Sequence, residues 1–349
     1  MDRLRIAVAG CGVAARAHTN RLARRRDVRI VALADPDLQA AQRLAEGLLG
    51  AGPGVEAEGP TVFGDHVSML RAVHPDALAV FTPYLHHFRV ALDGLLAGCH
   101  VFVEKPLCTN VQEATDLVNV ARARDRILAV GHQYRLRPTL KQAKQRLAEG
   151  RIGRPRLAVG LLAQPWLAAH AGGEDSWRFD PRIAGSGILT DSGDHLLDTL
   201  LWVLGTPALE ATAIQDRLDS GLDVVTAAAV KLAPNLPATL AVSGVSAGSL
   251  FELTILGETG ALRVSETLLQ ERLGDQPFQT IAEETSGSAG DGPDFQVSQV
   301  AGDSIDDDFV EAARGRRFPS CPGDQALGTV KLLEAIVRSA ATGRPVAIA

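Results

Sequence analysis

Asp191 and His195 stand four residues apart in the stretch Gly185-Ser-Gly-Ile-Leu-Thr-Asp191-Ser-Gly-Asp-His195-Leu-Leu. Helical spacing would stack them on one face. A carboxylate beside an imidazole is how a protein orients a proton-transferring histidine, whose ordinary pKa of roughly 6.5 lies near working pH. Leu196, Leu197, Leu200, Leu201, Val203 and Leu204 follow at spacings that would anchor the helix in a core and leave the polar pair at its mouth. Alone, the pair is equally explained by a helix-capping Asp and a hydrogen-bonded core His.

A second constellation opens the chain. Gly10-Cys11-Gly12-Val13-Ala14-Ala15 is a G-x-G-x-x-A run after a strand pattern and before a helix pattern. Gly10 makes the tight turn, Gly12 lets backbone approach a pyrophosphate, and Ala15 permits close helix–sheet packing. The helix beginning at Val13 and Ala14 offers N–H groups and a positive dipole end to phosphates. Asp35 ends the second strand 20 residues beyond Ala15, where a carboxylate accepts hydrogen bonds from an adenosine ribose. Its charge would repel a 2′-phosphate, and the next arginine is Arg43, so NAD is expected over NADP. The alternative is a plain glycine turn.

These residues need a scaffold. Over the first ~130 residues, short apolar runs alternate with helix patterns, the signature of a parallel doubly wound sheet. Strands are expected at Leu4–Ala9, Val28–Ala34, Ala77–Thr82, His100–Val103 and Ile127–Val130, and helices at Ala14–Arg25, Asp37–Leu49, Leu85–Ala97 and Asn110–Arg124. After Gln133 the pattern changes. Pro138–Glu149 reads as a helix and Leu157–Leu162 as a strand. The region Glu210–Val264 reads as strands in succession, which implies an antiparallel sheet. Ser286–Gly292 reads as a loop, Ile305–Ala313 and Gln325–Ala341 as helices, and Pro345–Ile348 as an edge strand. The expected class is therefore α/β, with a Rossmann domain over residues 1–133. An α+β domain with a large, mainly antiparallel sheet follows over 134–349. Thr239, Ala241, Ser243 and Val245 would share one face of that sheet, and strands this apolar leave neither face plainly designed for water.

Composition narrows the function classes. The 349 residues are 46% hydrophobic and 22% charged with net charge −6, an ordinary globular balance. The densest basic run, Arg24-Arg25-Arg26, falls where the first helix ends and its cations complement the dipole, so no nucleic acid partner is expected. Cys11, Cys99, Cys108 and Cys321 form no CxxC pair or Cys/His cluster, which argues against a zinc site and against disulfides. No signal peptide pattern and no apolar run of ~20 residues is present, so a cytoplasmic protein without a membrane partner is expected.

Three further motifs lie in order: Thr82-Pro83-Tyr84-Leu-His-His87, Glu104-Lys105-Pro106, and Asp191-x-x-x-His195. With the glycine loop ahead of them, the chain resembles the Gfo/Idh/MocA family of glucose–fructose oxidoreductase, inositol dehydrogenase and their relatives. The similarity runs from Ile6 to the end, through Glu149-Gly-Arg-Ile-Gly153, Trp177-Arg178, Phe309-Val, Pro319-Ser and Ser339-Ala-Ala-Thr-Gly-Arg-Pro-Val346. The resemblance implies an oxidoreductase in which Lys105 contacts cofactor and substrate while Asp191 and His195 complete the catalytic group. Removing hydride from a secondary alcohol requires loss of the hydroxyl proton. His195 suits the base, Lys105 can stabilise developing alkoxide charge, and Asp191 can orient the imidazole or bind a neighbouring hydroxyl. Glu104 would hold Lys105 in place.

The same resemblance places Thr82, Pro83 and His87 along the nicotinamide, with Tyr84 where the family often has Asn. Gln133, Tyr134 and Arg135 follow the last Rossmann strand, where the family builds the floor between the domains, with Tyr134 and Arg135 as substrate contacts, and Trp177 and Arg178 match a segment that often approaches substrate. Trp166 and Trp177 each fit stacking on a sugar face or packing, whereas Trp202 reads as core. A homo-oligomer through the second domain's sheet is also implied. Substrates would be cyclic polyols, sugars or their derivatives. NAD-dependent glycoside hydrolysis by transient oxidation, and a non-catalytic nucleotide-sensing regulator, are the two other functions relatives suggest.

Overall fold

The computed structural model describes residues 3–170, 177–284 and 304–349. Two compact units result, residues 1–131 with 302–327, and 132–301 with 328–349. The expected division at 133/134 thus needs correcting: a segment late in the chain returns to the first unit. Charge explains the return, because Asp306, Asp307 and Glu311 of that segment pair with Arg21 and Arg25 of the first unit.

In the first unit β1 (Leu4–Ala9), α1 (Val13–Ala23), β2 (Val28–Ala34), α2 (Leu38–Leu48), β3 (Thr61–Phe63), α3 (His66–Val73), β4 (Ala77–Val80), α4 (His87–Leu96), β5 (His100–Val103), α5 (Val111–Ala123) and β6 (Leu128–Val130) alternate. The strands form one parallel sheet in the order β3-β2-β1-β4-β5-β6. That order reverses direction between β1 and β4, where doubly wound sheets open a crevice for ligands. β1 and β4 are buried almost throughout, as strands covered on both faces must be. Side chains of Asp37, Asp65 and Asn110 cap α2, α3 and α5. β3 and α3 lie in a stretch for which no element was expected.

The second unit runs through α6 (Pro138–Ala148), β7 (Pro155–Ala163), α7 (Trp166–Ala169), α8 (Pro181–Ala184), a π-helical turn (Leu189–Gly193) and α9 (Asp194–Leu204). There follow β8 (Ala208–Arg217), β9 (Asp223–Leu232), β10 (Leu236–Ser243), β11 (Leu250–Gly257), β12 (Gly260–Ser265), β13 (Leu268–Leu273) and β14 (Gln279–Glu283). α10 (Ile305–Ala313) belongs to the first unit, α11 (Gly323–Thr342) begins there, and β15 (Val346–Ala347) forms the edge beside β8. Nine strands order as β14-β13-β12-β11-β7-β10-β9-β8-β15. Every pairing is antiparallel except the parallel β7–β10 pair. β13 and β14 lie beyond the expected strand region.

Alternation along the central strands β9, β10 and β11 divides the sheet's faces over most of their length. Ala158, Leu162, Val230, Leu240, Val242, Leu253 and Ile255 are buried in one core with Leu196, Leu197 and Leu200 of α9 and Leu332 and Ile336 of α11. The opposite face carries Val159, Thr239 and Ala229 side by side, and Leu161, Ala241, Ala227 and Ile214 in the next row, the last 76% exposed. The loop expected at Ser286–Gly292 lies outside the described residues. All four cysteines are buried free thiols. Among the described residues no helix is long and apolar enough to cross a membrane.

Candidate active site

The glycine loop sits at the crevice end of β1. Gly10 has φ +88°, and a Cβ there would come within 2.6 Å of the Phe81 carbonyl, so this close approach beside β4 admits only glycine. An added Cβ at Gly12 meets nothing within 4 Å, which leaves that backbone open to a ligand. Val13 and Ala14 form the first turn of α1, whose cap Gly12 supplies no side-chain bond to the orphan N–H groups. The Asp35 carboxylate is fixed at both oxygens, accepting from the Cys11 N–H (2.8 Å) and the Asp37 N–H (2.8 Å). Arg43 pairs with Asp37 instead of extending toward a second phosphate position. These features fit the adenosine and pyrophosphate of a dinucleotide. Burial, then the neighbouring Asp35 charge, push the Cys11 thiol up to about 12, so it fills space and is no nucleophile.

Five more expected residues share the first unit. Thr82 and Pro83 follow β4 at the same crevice. His87 needs correction: the ring is fully buried and both nitrogens face backbone carbonyls, Nδ1 to Pro106 (2.7 Å) and Nε2 to Thr82 (2.8 Å). It braces the two segments and has no nitrogen left to offer a cofactor. Lys105 is 4% exposed, and its Nζ lies 6.0 Å from the centre of the Tyr84 ring, at the outer range of a cation–π contact. Tyr84 therefore offers an aromatic face where an amide was the family's usual choice. The Lys105 N–H donates to Glu104 Oε2 (3.0 Å), which fixes the backbone that carries the ammonium.

The second unit holds Asp191 and His195. Asp191 lies in the π-helical turn, not in the α-helix expected there, and His195 in the first turn of α9. A cap in this region comes from elsewhere: the Asp223 carboxylate accepts the N–H groups of Gly187 (2.7 Å) and Leu189 (2.9 Å) and the Ser186 hydroxyl. Gly187 is obligatory, because a Cβ there would fall 1.9 Å from the Asp223 carbonyl oxygen. Asp191 is thereby released from capping. Its Oδ2 accepts from the Trp166 indole N–H (2.7 Å) and from Arg178 Nε (3.0 Å), with His170 Nε2 at 4.0 Å.

Trp166 is thus a buried hydrogen-bond donor, 2% exposed and packed on Phe179, which excludes stacking on a sugar. Trp177 is half-buried beneath the Arg178 guanidinium, 4.6 Å from its ring centre. Trp202, expected as core, is partly buried, with Arg135 and Lys144 over its ring.

His195, 4% exposed, stacks flat on Tyr134, with ring centres 4.6 Å apart and planes at 10°. The Tyr134 hydroxyl donates to Glu266 (2.8 Å), and Arg137 covers its ring at 4.6 Å. Beneath them lies a polar network the sequence did not disclose. His132 Nε2 meets Asp194 at 2.6 Å and stands edge-on to His195, with ring centres 6.3 Å apart. Arg135 grips Asp198 with two bonds (2.6 and 2.8 Å), and Thr329 adds a third. Burial would push the Asp198 carboxyl up, but His132 and Arg135 hold it below the ordinary carboxylate range. Arg135 is accordingly internal, its charge consumed by Asp198. Asp198 follows His195 by three residues, a helical spacing that could have flagged it.

The family model described as "Oxidoreductase family, NAD-binding Rossmann fold" matches residues 4–132, and the "GFO/IDH/MocA C-terminal domain" model matches residues 140–263. The chain is similar to a D-glucoside 3-dehydrogenase of Escherichia coli K12, 31% identical over 211 residues, covering 60% of this chain and 56% of that protein. It is similar also to a 1,5-anhydro-D-fructose reductase of Ensifer adhaerens, 28% identical over 272 residues, covering 77% and 78%. The match thus spans little more than half of the glucoside dehydrogenase's length. Among solved structures, an inositol dehydrogenase homolog from Azotobacter vinelandii complexed with NAD+ has TM-score 0.82 at 23% identity, covering 99% of this chain and 97% of that one.

Proposed function

Because the chain belongs to the Gfo/Idh/MocA oxidoreductase family, we propose that it moves hydride between NAD and a secondary alcohol of a cyclic polyol, sugar or sugar derivative. The observation that carries this reading is His195, held flat on Tyr134 one turn beyond an Asp191 that Trp166 and Arg178 fix in place. Glucoside, anhydro-sugar and inositol names among the relatives support the substrate class.

When bound, NAD supplies the electrophilic ring carbon that accepts hydride. The chain's own groups handle the proton and the charge. His195 takes the hydroxyl proton, and its stacking on Tyr134 removes the ring rotation that would misalign the accepting nitrogen. The Lys105 ammonium stabilises the negative charge that grows on oxygen as the proton leaves. Asp191, held by two donors on one oxygen, orients the imidazole or accepts from an adjacent substrate hydroxyl. Trp177 and Arg178 border the substrate, whereas Tyr134 and Arg135 act from beneath it. Glu104 fixes the Lys105 backbone and touches no substrate.

Turnover of inositols, aldoses and glycosides with NAD, followed by nicotinamide absorbance, tests the reading. Net NADH should accumulate with a good substrate, and His195→Ala should lower kcat by ~10²–10⁴-fold while leaving NAD affinity nearly unchanged. Near-parental kcat in that variant would remove His195 from the role. Glycoside cleavage without net NADH would assign the chain to hydrolysis by transient oxidation.

A further inference from the structure

The glycine-loop spacing gives no role to His18, yet both of its ring nitrogens face buried carboxylates. It lies on α1, 2% exposed, against the rings of Phe81 and Phe102 at 4.6 and 5.5 Å. Nδ1 meets Asp306 Oδ1 of α10 at 2.6 Å, and Nε2 meets Glu104 Oε1, just after β5, at 3.0 Å. A neutral imidazole has one N–H and can donate to only one carboxylate, so donating to both requires the protonated ring. Burial opposes that charge, but Asp306 and Glu104 outweigh it and push the pKa up to about 9. Arg21 faces Asp306 from the same helix, and Lys105 is the other cation near Glu104. Burial would push both carboxyls up, and these cations bring each below its ordinary value.

Glu104 in turn has little freedom. Oε1 forms an ion pair with His18 Nε2 at 3.0 Å, Oε2 accepts the Lys105 N–H, and even a methyl group on Gly131 would come within 2.6 Å of Oε1. We infer that His18 is a positioning residue: holding Asp306 and Glu104 on its two ring nitrogens, it ties the helix that follows the phosphate loop to the backbone of Lys105. Its effect on turnover rests on the role proposed above for Lys105; the link to the Lys105 backbone does not. As pH rises through about 9 the ring loses one N–H, a donor bond becomes a lone pair facing a carboxylate, and the Lys105 backbone loosens.

The test uses the full chain with NAD and compares His18→Gln, Asp306→Asn and Arg25→Ala. The last removes salt bridges to Asp307 and Glu311 without touching His18. Three measurements are made: hydrogen exchange of the Lys105 amide at neutral pH, titration of the His18 ring by NMR, and kcat against pH. His18→Gln should speed Lys105 exchange by about tenfold or more and lower kcat by ~10–100-fold. It should also abolish an alkaline decline in kcat near pH 9. Asp306→Asn, nearly isosteric should His18→Gln fold poorly, should move the His18 titration and that decline to lower pH together. Arg25→Ala should change neither. Unchanged Lys105 exchange in folded His18→Gln, a parental His18 that titrates near its ordinary value, or the same effects from Arg25→Ala would each overturn the inference. Faster exchange with parental kcat would uphold the positioning link and remove Lys105 from the proposed mechanism instead.

Discussion

Trp166→Phe separates the two parts a buried tryptophan can play. The phenyl ring keeps the packing on Phe179 and His170, whereas the N–H that reaches Asp191 at 2.7 Å is lost. A hydrogen bond to a charged acceptor contributes about 1.5–3 kcal/mol net. Replacing indole by phenyl also leaves about 40 Å3 unfilled, which at the usual cavity coefficient costs about 1 kcal/mol. The sum is a destabilisation of about 2.5–4 kcal/mol, because Arg178 still pairs with Asp191 and prevents a larger loss. Urea unfolding should show a lower midpoint at unchanged slope. Since the loosened carboxylate no longer fixes its neighbourhood, kcat/KM should also fall, though by less than in His195→Ala. A loss under ~1 kcal/mol with parental kcat/KM would mean that the indole N–H holds nothing of consequence, and the account of Asp191 would fail.

Two other outcomes are expected. Asp35→Asn keeps an acceptor for the Cys11 N–H but removes the charge, so the preference for NAD over NADP should narrow when kcat/KM is measured with each; parental turnover equal on both cofactors would refute the assignment of Asp35. If the open face of the nine-stranded sheet pairs subunits, light scattering at micromolar concentration gives at least twice the chain mass, and Ile214→Asp, at a 76% exposed position in that face, shifts it toward monomer. A monomeric parent would count against that pairing.

Local chemistry made most of the fold legible. The first strands could be read because each ends in a glycine or an acidic residue that terminates an apolar run, as at Gly10 and Asp35. β3 escaped because three residues, two of them half-buried and one exposed, carry no periodicity. For the site, residues with a recognisable spacing were found, and those defined by distant partners were not. Asp306 reaches His18 across 288 residues, Glu266 reaches Tyr134 across 132, and Asp223 caps a turn 36 residues earlier. No local pattern encodes such pairs. Trp166 and His87 were legible as residues of interest, but only burial and bonding show that one holds Asp191 and the other braces a carbonyl pair.

The return of residues 302–327 to the first unit makes that unit impossible to finish early. Val130 of β6 bonds to the carbonyl of Cys321, Pro322 bridges to Ala129, and Asp308 holds Ser320 in the same late segment. A ribosome adding roughly 5–20 residues per second needs roughly 9–35 s to travel from Gly131 to this segment. Throughout that interval His18 and Phe102 lack Asp306 and Phe309, the groups that later cover them. A fragment cut at residue 133 would stay permanently in that unfinished state, with an imidazole short of one carboxylate and an aromatic face open to aggregation. The nucleotide-binding half is contiguous at its sequence motifs and discontinuous as a folding entity, so no single cut in the chain liberates it.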